Sequence, residues 1–297
     1  MKIVVLGSGI AAGLPVWNDG SPRALRARAG DPTVPRRGGL ALAVSADTRR
    51  YSLIEAPLHL STTLTRDARF EPTPQTRSVP LDTLVLTCAE LDACAGSLAF
   101  ARGLSLRIAS THGVREALVD HDAGFRALEP GWTGHAFDRP FLLDRGERLE
   151  ARFFPLPGPV PEPLRELAPK SGRARAGLRI TDRETGARLV VAPRIAQYDS
   201  ATLAELRAAD LRLVDGTCLS DDEGRQIHPG VASARDLGHL PIDGREGSLV
   251  WLSGMRGRSV YVHLAASNPA CDASSKSWTR IHEAGVLVAH DGMELEL

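Results

Sequence analysis

The chain mixes two ways of connecting apolar runs, and that mixture limits its fold more than any other feature. Residues 2–6 (KIVVL) are a short β-branched run closed by Gly7 and read as a buried strand. Residues 40–45 and 51–56 are strands joined by the hairpin turn SADTRR, and residues 177–181 and 188–192 form a second hairpin around DRETG. Elsewhere strand and helix alternate. A strand over 83–87 leads to a helix over 92–102, a strand over 105–109 and a helix over 113–119. Further on come a helix over 200–208, capped by Asp199 or Ser200, and a strand over 211–215. Helices near 231–239 and 245–253, a strand over 259–264, a helix over 274–284 and two short terminal strands complete the pattern. Residues 14–39 are a Pro-, Gly- and Arg-rich excursion with one helical turn near 23–29, residues 120–146 read as loop, and a strand over 152–156 enters the proline-rich PLPGPVPEP. A purely parallel, doubly wound sheet has no place for the hairpins. Two mixed sheets packed face to face with helices outside accommodate both connection types. No fixed-period repeat or linker divides the 297 residues, so one domain over 1–297 is expected.

Charge excludes several function classes. Lysine plus arginine balances aspartate plus glutamate at 36 each, so no global field draws nucleic acid or an anionic membrane. The four cysteines, Cys88, Cys94, Cys218 and Cys271, include no CxxC pair, and a chain of this size needs no covalent staples. The opening MKIVVLGSG has too short an apolar run for a signal peptide, and no window approaches 18 apolar residues. A cytoplasmic protein is expected.

Gly7-Ser8-Gly9-Ile10-Ala11-Ala12 fits the dinucleotide pattern GxGxxA directly after a strand. The continuation does not. Pro15 interrupts the helix that should follow, and residues 27–38 hold no second strand to supply a ribose-binding acid. The glycines therefore read as a turn that lets the chain cross a sheet edge.

Four places set a carboxylate or histidine at or beyond the end of an element: Asp92 after the run TLVLT, Asp215 at the end of LRLVD, His239 after Gly238, and His263 in SVYVHL. Buried groups of this kind cost several kcal/mol unless paired or bound to a metal. Singly, each is more often structural; an aspartate before Gly-Thr commonly serves only a turn. Together and in this order they carry more.

The order is similar to that of the coenzyme PQQ (pyrroloquinoline quinone) synthesis protein B family, a branch of the metallo-β-lactamase fold. The resemblance runs from LGSGIAAGLPVWN (6–18) through LTCAELDACAG (86–96) to VDGTCLSDDE (214–223), GHL (238–240), VHLAASNP (262–269) and AHDGMELEL (289–297). It implies an α/β, metallo-β-lactamase-like αββα sandwich of two mixed sheets flanked by helices. It also implies a mononuclear centre with Asp92, Asp215, His239 and His263 at the functional positions. Two carboxylates and two imidazoles suit Fe(II) or Zn(II). The activity implied is oxidation or hydroxylation of a tyrosine-derived precursor in PQQ formation.

The chain also departs from that pattern. Asp92 is followed by Ala93 where the family has histidine, so one imidazole is missing. No cysteines follow Trp17-Asn18, which removes the family's structural zinc. Gly38-Gly39-Leu40-Ala41 replaces a polar Thr-Gln-Ser-Ser stretch, and Ala265-Ala266 replaces paired asparagines. His59 stands where the family has aspartate, and would compensate for Ala93 if it reached the site; Cys88 and Glu90 lie on the same loop as Asp92. His112, His121, His135, His228, His282 and His290 lack a ligand-like context and are expected at the surface. The expected cofactor is one divalent metal, or none if the site has degenerated. The expected partner is a small molecule or peptide-derived precursor, with a homodimer allowed and no nucleic acid or membrane. A carrier of PQQ or its precursor that has lost catalysis, and a metal-dependent hydrolase, are the alternatives to an oxidising enzyme.

Overall fold

The computed structural model describes residues 1–100, 106–160, 165, 175–227 and 230–297. Its strands in chain order are β1 (Lys2–Gly7), β2 (Ala41–Ser45), β3 (Tyr51–Ile54), β4 (Leu81–Leu86), β5 (Arg107–Thr111), β6 (Trp132–His135) and β7 (Phe141–Leu142). They continue with β8 (Leu149–Pro155), β9 (Ala176–Asp182), β10 (Arg188–Ala192), β11 (Leu211–Asp215), β12 (Arg258–Val262), β13 (Val286–Val288) and β14 (Glu294–Glu296). They form two mixed seven-stranded sheets, ordered β14-β1-β2-β3-β4-β5-β6 and β13-β12-β11-β10-β9-β8-β7. The predicted hairpins are the antiparallel pairs β2–β3 and β9–β10, while β3–β6 and β10–β13 run parallel.

Side-chain alternation explains the layering. Ile3 and Val5 of β1 point into the core between the sheets, where they meet Phe153, Leu178, Ile180, Leu213 and Val260 of the second sheet. Val4 and Leu6 point the other way, into a core shared with Leu60, Val114, Leu118 and Phe125 of the outer helices. In the second sheet Leu189 and Val191 face inward, while Val190 and Ala192 face an outer layer holding Leu206, Leu249 and Ile281. Strands covered on both faces must be apolar at successive positions, which is why β1, β4 and β10 read as unbroken runs.

The glycines after β1 are a crossing point. A Cβ on Gly7 would lie 2.0 Å from the Gly39 carbonyl oxygen, and Gly9 bridges both Gly39 and Leu264. The first helix begins only at Pro22, with the Ser21 hydroxyl accepting from Ala24 N–H. The phosphate-binding strand–turn–helix is therefore not built.

Other expectations need correction. The helix placed at 231–239 is a series of turns, and that at 245–253 shrinks to Ser248–Leu252. Residues 120–146 hold the short helix Ala123–Arg126 and strands β6 and β7, which were too short to show a period. The helix expected at 92–102 is an α-helical turn, Leu91–Cys94, tightening to a 3₁₀ stretch, Ala95–Phe100. Gly96 is wedged there against Pro57, whose carbonyl oxygen a Cβ would meet at 2.0 Å. Residues 101–105, 161–164, 166–174 and 228–229, His228 among them, lie outside the described residues.

Candidate metal centre

The parallel strands converge on one edge, where their C-terminal ends deliver the polar groups, as open α/β sheets commonly do. Asp92 enters on the short helix that follows β4. Asp215 is the last residue of β11, and His263 follows β12 directly. His239 comes from the loop beyond Gly238, whose φ of 83° suits glycine. His263 itself holds φ at 59°, a costly conformation for a side-chain-bearing residue that is commonest at functional sites.

Asp215, His239 and His263 are all buried, and one ligand atom of each lies within 4.8 Å of the others. Asp215 accepts from Thr217 N–H (3.0 Å) and Ile195 N–H (2.9 Å). His239 Nδ1 lies 2.7 Å from Asp215 Oδ2, and Thr217 Oγ1 lies 2.7 Å from Oδ1. The turn expected at Asp215-Gly216-Thr217 is thus present, but it is one bond of several. Burial works against the Asp215 carboxylate, yet His239, His263 and Thr217 hold it below its ordinary range.

The hydroxyl of Thr217 orders the hydrogens of the site. It has one proton, and an ionised Asp215 Oδ1 at 2.7 Å claims it. Thr217 Oγ1 then accepts from His263 Nδ1–H at 2.9 Å. His263 Nε2 is left facing Asp92 Oδ2 at 2.9 Å. Two lone pairs cannot face each other at that distance unless a proton or a metal ion lies between them. Burial, followed by the nearby Arg194 guanidinium, pushes His263 below its usual value against the pull of Asp92. The other oxygen of Asp92, Oδ1, is buried and has no hydrogen-bond partner among the described residues. The cluster of two imidazoles and one carboxylate, with the orphaned oxygen of Asp92 beside His263, fits a divalent cation.

Sequence reasoning missed three residues here: Thr217, Glu55 and Arg194. The Arg194 side chain is 2% exposed and reaches three carboxylates. Its Nη2 donates to Asp92 (2.8 Å), its Nε to Glu90 (3.1 Å) and its Nη1 to Glu55 (3.4 Å). Burial opposes ionisation of Asp92, but Arg194 and then His263 hold its carboxyl well below the usual range. For Glu55 the balance reverses: full burial outweighs Arg194 and the Thr87 hydroxyl and pushes it up to about 7. Glu90 is shared with Arg175, which also donates to the carbonyls of Leu237 and Gly238 and so fastens the segment carrying His239.

Of the five expected ligands, Asp215, His239 and His263 come together, Asp92 reaches that group through His263, and His59 does not join them. Its Nε2 accepts from Gly39 N–H at 2.9 Å, and its ring fills the notch left by Gly38 and Gly39. The lone pair needed for metal binding is already committed to backbone. Ala93 is buried, and its carbonyl accepts from Ala56 N–H. Cys88 is fully buried, and that burial pushes its thiol up, away from the thiolate a metal requires. Among the other histidines, His112, His121 and His290 are exposed, whereas His135 and His282 are half-buried, stacked on Phe141 and Trp278.

A two-sheet sandwich with this cluster at its strand ends is the architecture of the β-lactamase superfamily, whose domain model matches residues 53–263. Among curated proteins, the coenzyme PQQ synthesis protein B of Ruegeria pomeroyi is 33% identical and that of Azotobacter vinelandii 30%, each with full coverage of both chains. The crystal structure of Zn(2+)-bound PqqB from Methylobacterium extorquens superposes with a TM-score of 0.91 at 28% identity, again over all of both chains. A diphosphatase of the PhnP family shares the fold at a TM-score of 0.68 and 17% identity, covering all of this chain and 97% of its own. The chain belongs to the coenzyme PQQ synthesis protein B family.

Proposed function

We propose that this protein acts in PQQ biosynthesis in the cytoplasm as a metal-dependent enzyme that oxidises or hydroxylates a tyrosine-derived precursor. The ion would be a single Fe(II) or Zn(II) held by Asp92, Asp215, His239 and His263. The observation that carries this reading is the 2.9 Å approach of His263 Nε2 to Asp92 Oδ2, with His263 Nδ1 tied to Thr217, beside the Asp215–His239 pair. The end-to-end relationship to coenzyme PQQ synthesis proteins supports the pathway.

The bound ion would supply Lewis acidity and, as iron, a redox couple. The protein's own residues prepare the place for it. Thr217 fixes the ring orientation of His263, and such outer bonds commonly govern metal affinity. Asn268 Nδ2 donates to Gly216 O at 2.8 Å and holds the loop after His263 against the Asp215 turn. Metal analysis of the purified protein should give one Fe or Zn per chain, and precursor turnover should vanish in Asp215→Ala and His263→Ala. A protein that takes up no metal on reconstitution overturns the reading.

Arg194 and Ala93 favour a second reading, a carrier that binds PQQ or its precursor without turnover, because one expected ligand is gone and Asp92 is neutralised by a guanidinium. Metal-independent binding of PQQ with no product would select it. A hydrolase is less well supported. The loop positions for a metal-activated water are Cys88, a buried thiol, and Glu90, already taken by two arginines.

A further inference from the structure

We propose that Arg194 is a built-in cation that limits this centre to one divalent ion. The inference rests on the reading of Asp215, His239 and His263 as metal ligands. Around that cluster lie four carboxylates, Glu55, Glu90, Asp92 and Asp215, and two guanidiniums, Arg175 and Arg194. Arg194 spends each of its three nitrogens on a different carboxylate and so fills the space that Glu55, Glu90 and Asp92 enclose. Three carboxylates facing one point are an oxygen-rich set of the kind divalent cations take. A guanidinium in that position supplies permanent charge, does not dissociate and presents no vacant coordination position. It also draws Asp92 toward itself by Oδ2, which sets the edge that the carboxylate offers to His263.

The test is ion stoichiometry, read independently of any activity. Full-length wild type, Arg194→Lys, Arg194→Ala and Arg194→His are loaded with Mn2+ or Zn2+, dialysed and measured by elemental analysis and calorimetry. Wild type and Arg194→Lys should hold one ion per chain. Arg194→Ala and Arg194→His should hold two, the second lost again when Glu55→Gln is added. One ion in both folded variants overturns the role of Arg194 and leaves the metal centre standing. No ion in the wild type overturns the metal centre and this inference with it. If the Ala and His variants fold only with Mn2+ present, the cation has taken over the guanidinium's charge, as the inference requires. If neither folds with or without Mn2+, the inference fails.

Discussion

Thr217→Val tests the hydrogen accounting of the site with a near-isosteric change. The hydroxyl is buried and, besides a longer 3.1 Å approach to His239 Nδ1, makes two bonds that valine cannot. One is donated to an ionised carboxylate, Asp215 Oδ1, at 2.7 Å; bonds to charged groups contribute about 1.5–3 kcal/mol. The other accepts from His263 Nδ1–H, and a buried donor left unpaired costs about 1–3 kcal/mol. The added methyl returns under about 1 kcal/mol of apolar burial. Because both bonds share one oxygen they do not simply add, and a net loss of about 2–4 kcal/mol follows. Urea denaturation of the metal-free protein measures it, with Thr217→Ser, which keeps the hydroxyl, staying near wild type. Calorimetry with Zn2+ should show affinity falling about 10- to 100-fold, the usual effect of removing a group that orients a ligand. If Thr217→Val unfolds within about 0.5 kcal/mol of wild type and binds zinc equally well, the hydroxyl does not order these histidines.

Four further outcomes are expected. His59→Ala should leave the metal content of the purified protein unchanged, since its Nε2 serves Gly39 N–H; loss of the ion would return His59 to the ligand set. Gly7→Ala should cost about 3 kcal/mol or more by chemical denaturation, because the new Cβ meets backbone that cannot swing aside. Leu213→Ala, emptying a fully buried site between the sheets, should lose about 2–5 kcal/mol in the same assay. Acid stability should depend on Asp182: its bond to Arg148 and two backbone N–H groups hold it at about 2, against burial, where 3.8 is ordinary. A depressed carboxylate stabilises above its unfolded pKa. This contribution of about 2 kcal/mol is therefore complete by pH 5–6 and fades as pH falls through 3.8 toward 2, and Asp182→Asn should flatten the acid limb of the stability curve.

The sheets were legible because burial on two faces writes continuous β-branched runs, as in β1, β10 and β11, and hairpin turns bound them. Strands β6 and β7 were not, since WTGH and FL are too short and mixed to carry a period. The turns at 231–239 misread as helix because apolar spacing there serves the placement of His239 by the Arg175 clamp and Gly238, not a helical face. The four site residues were readable from their order along the chain and their strand-end positions.

The groups that position those four residues were hidden by a physical cause: their bonds cross the sandwich. Arg194 meets Asp92 across 102 residues and Glu55 across 139, so no local spacing records the contact. A faint signal did exist. Glu55 follows the apolar run of β3 and Arg194 follows β10 by two positions, and a lone charge closing a buried strand must find a partner in the fold. Matching unpaired charges at strand ends, an acid after one run with a base after another, offers Glu55 and Arg194 as partners from the sequence. Arg194 balances the charge of Asp92 beside position 93, and Thr217 fixes the ring of His263 that faces it.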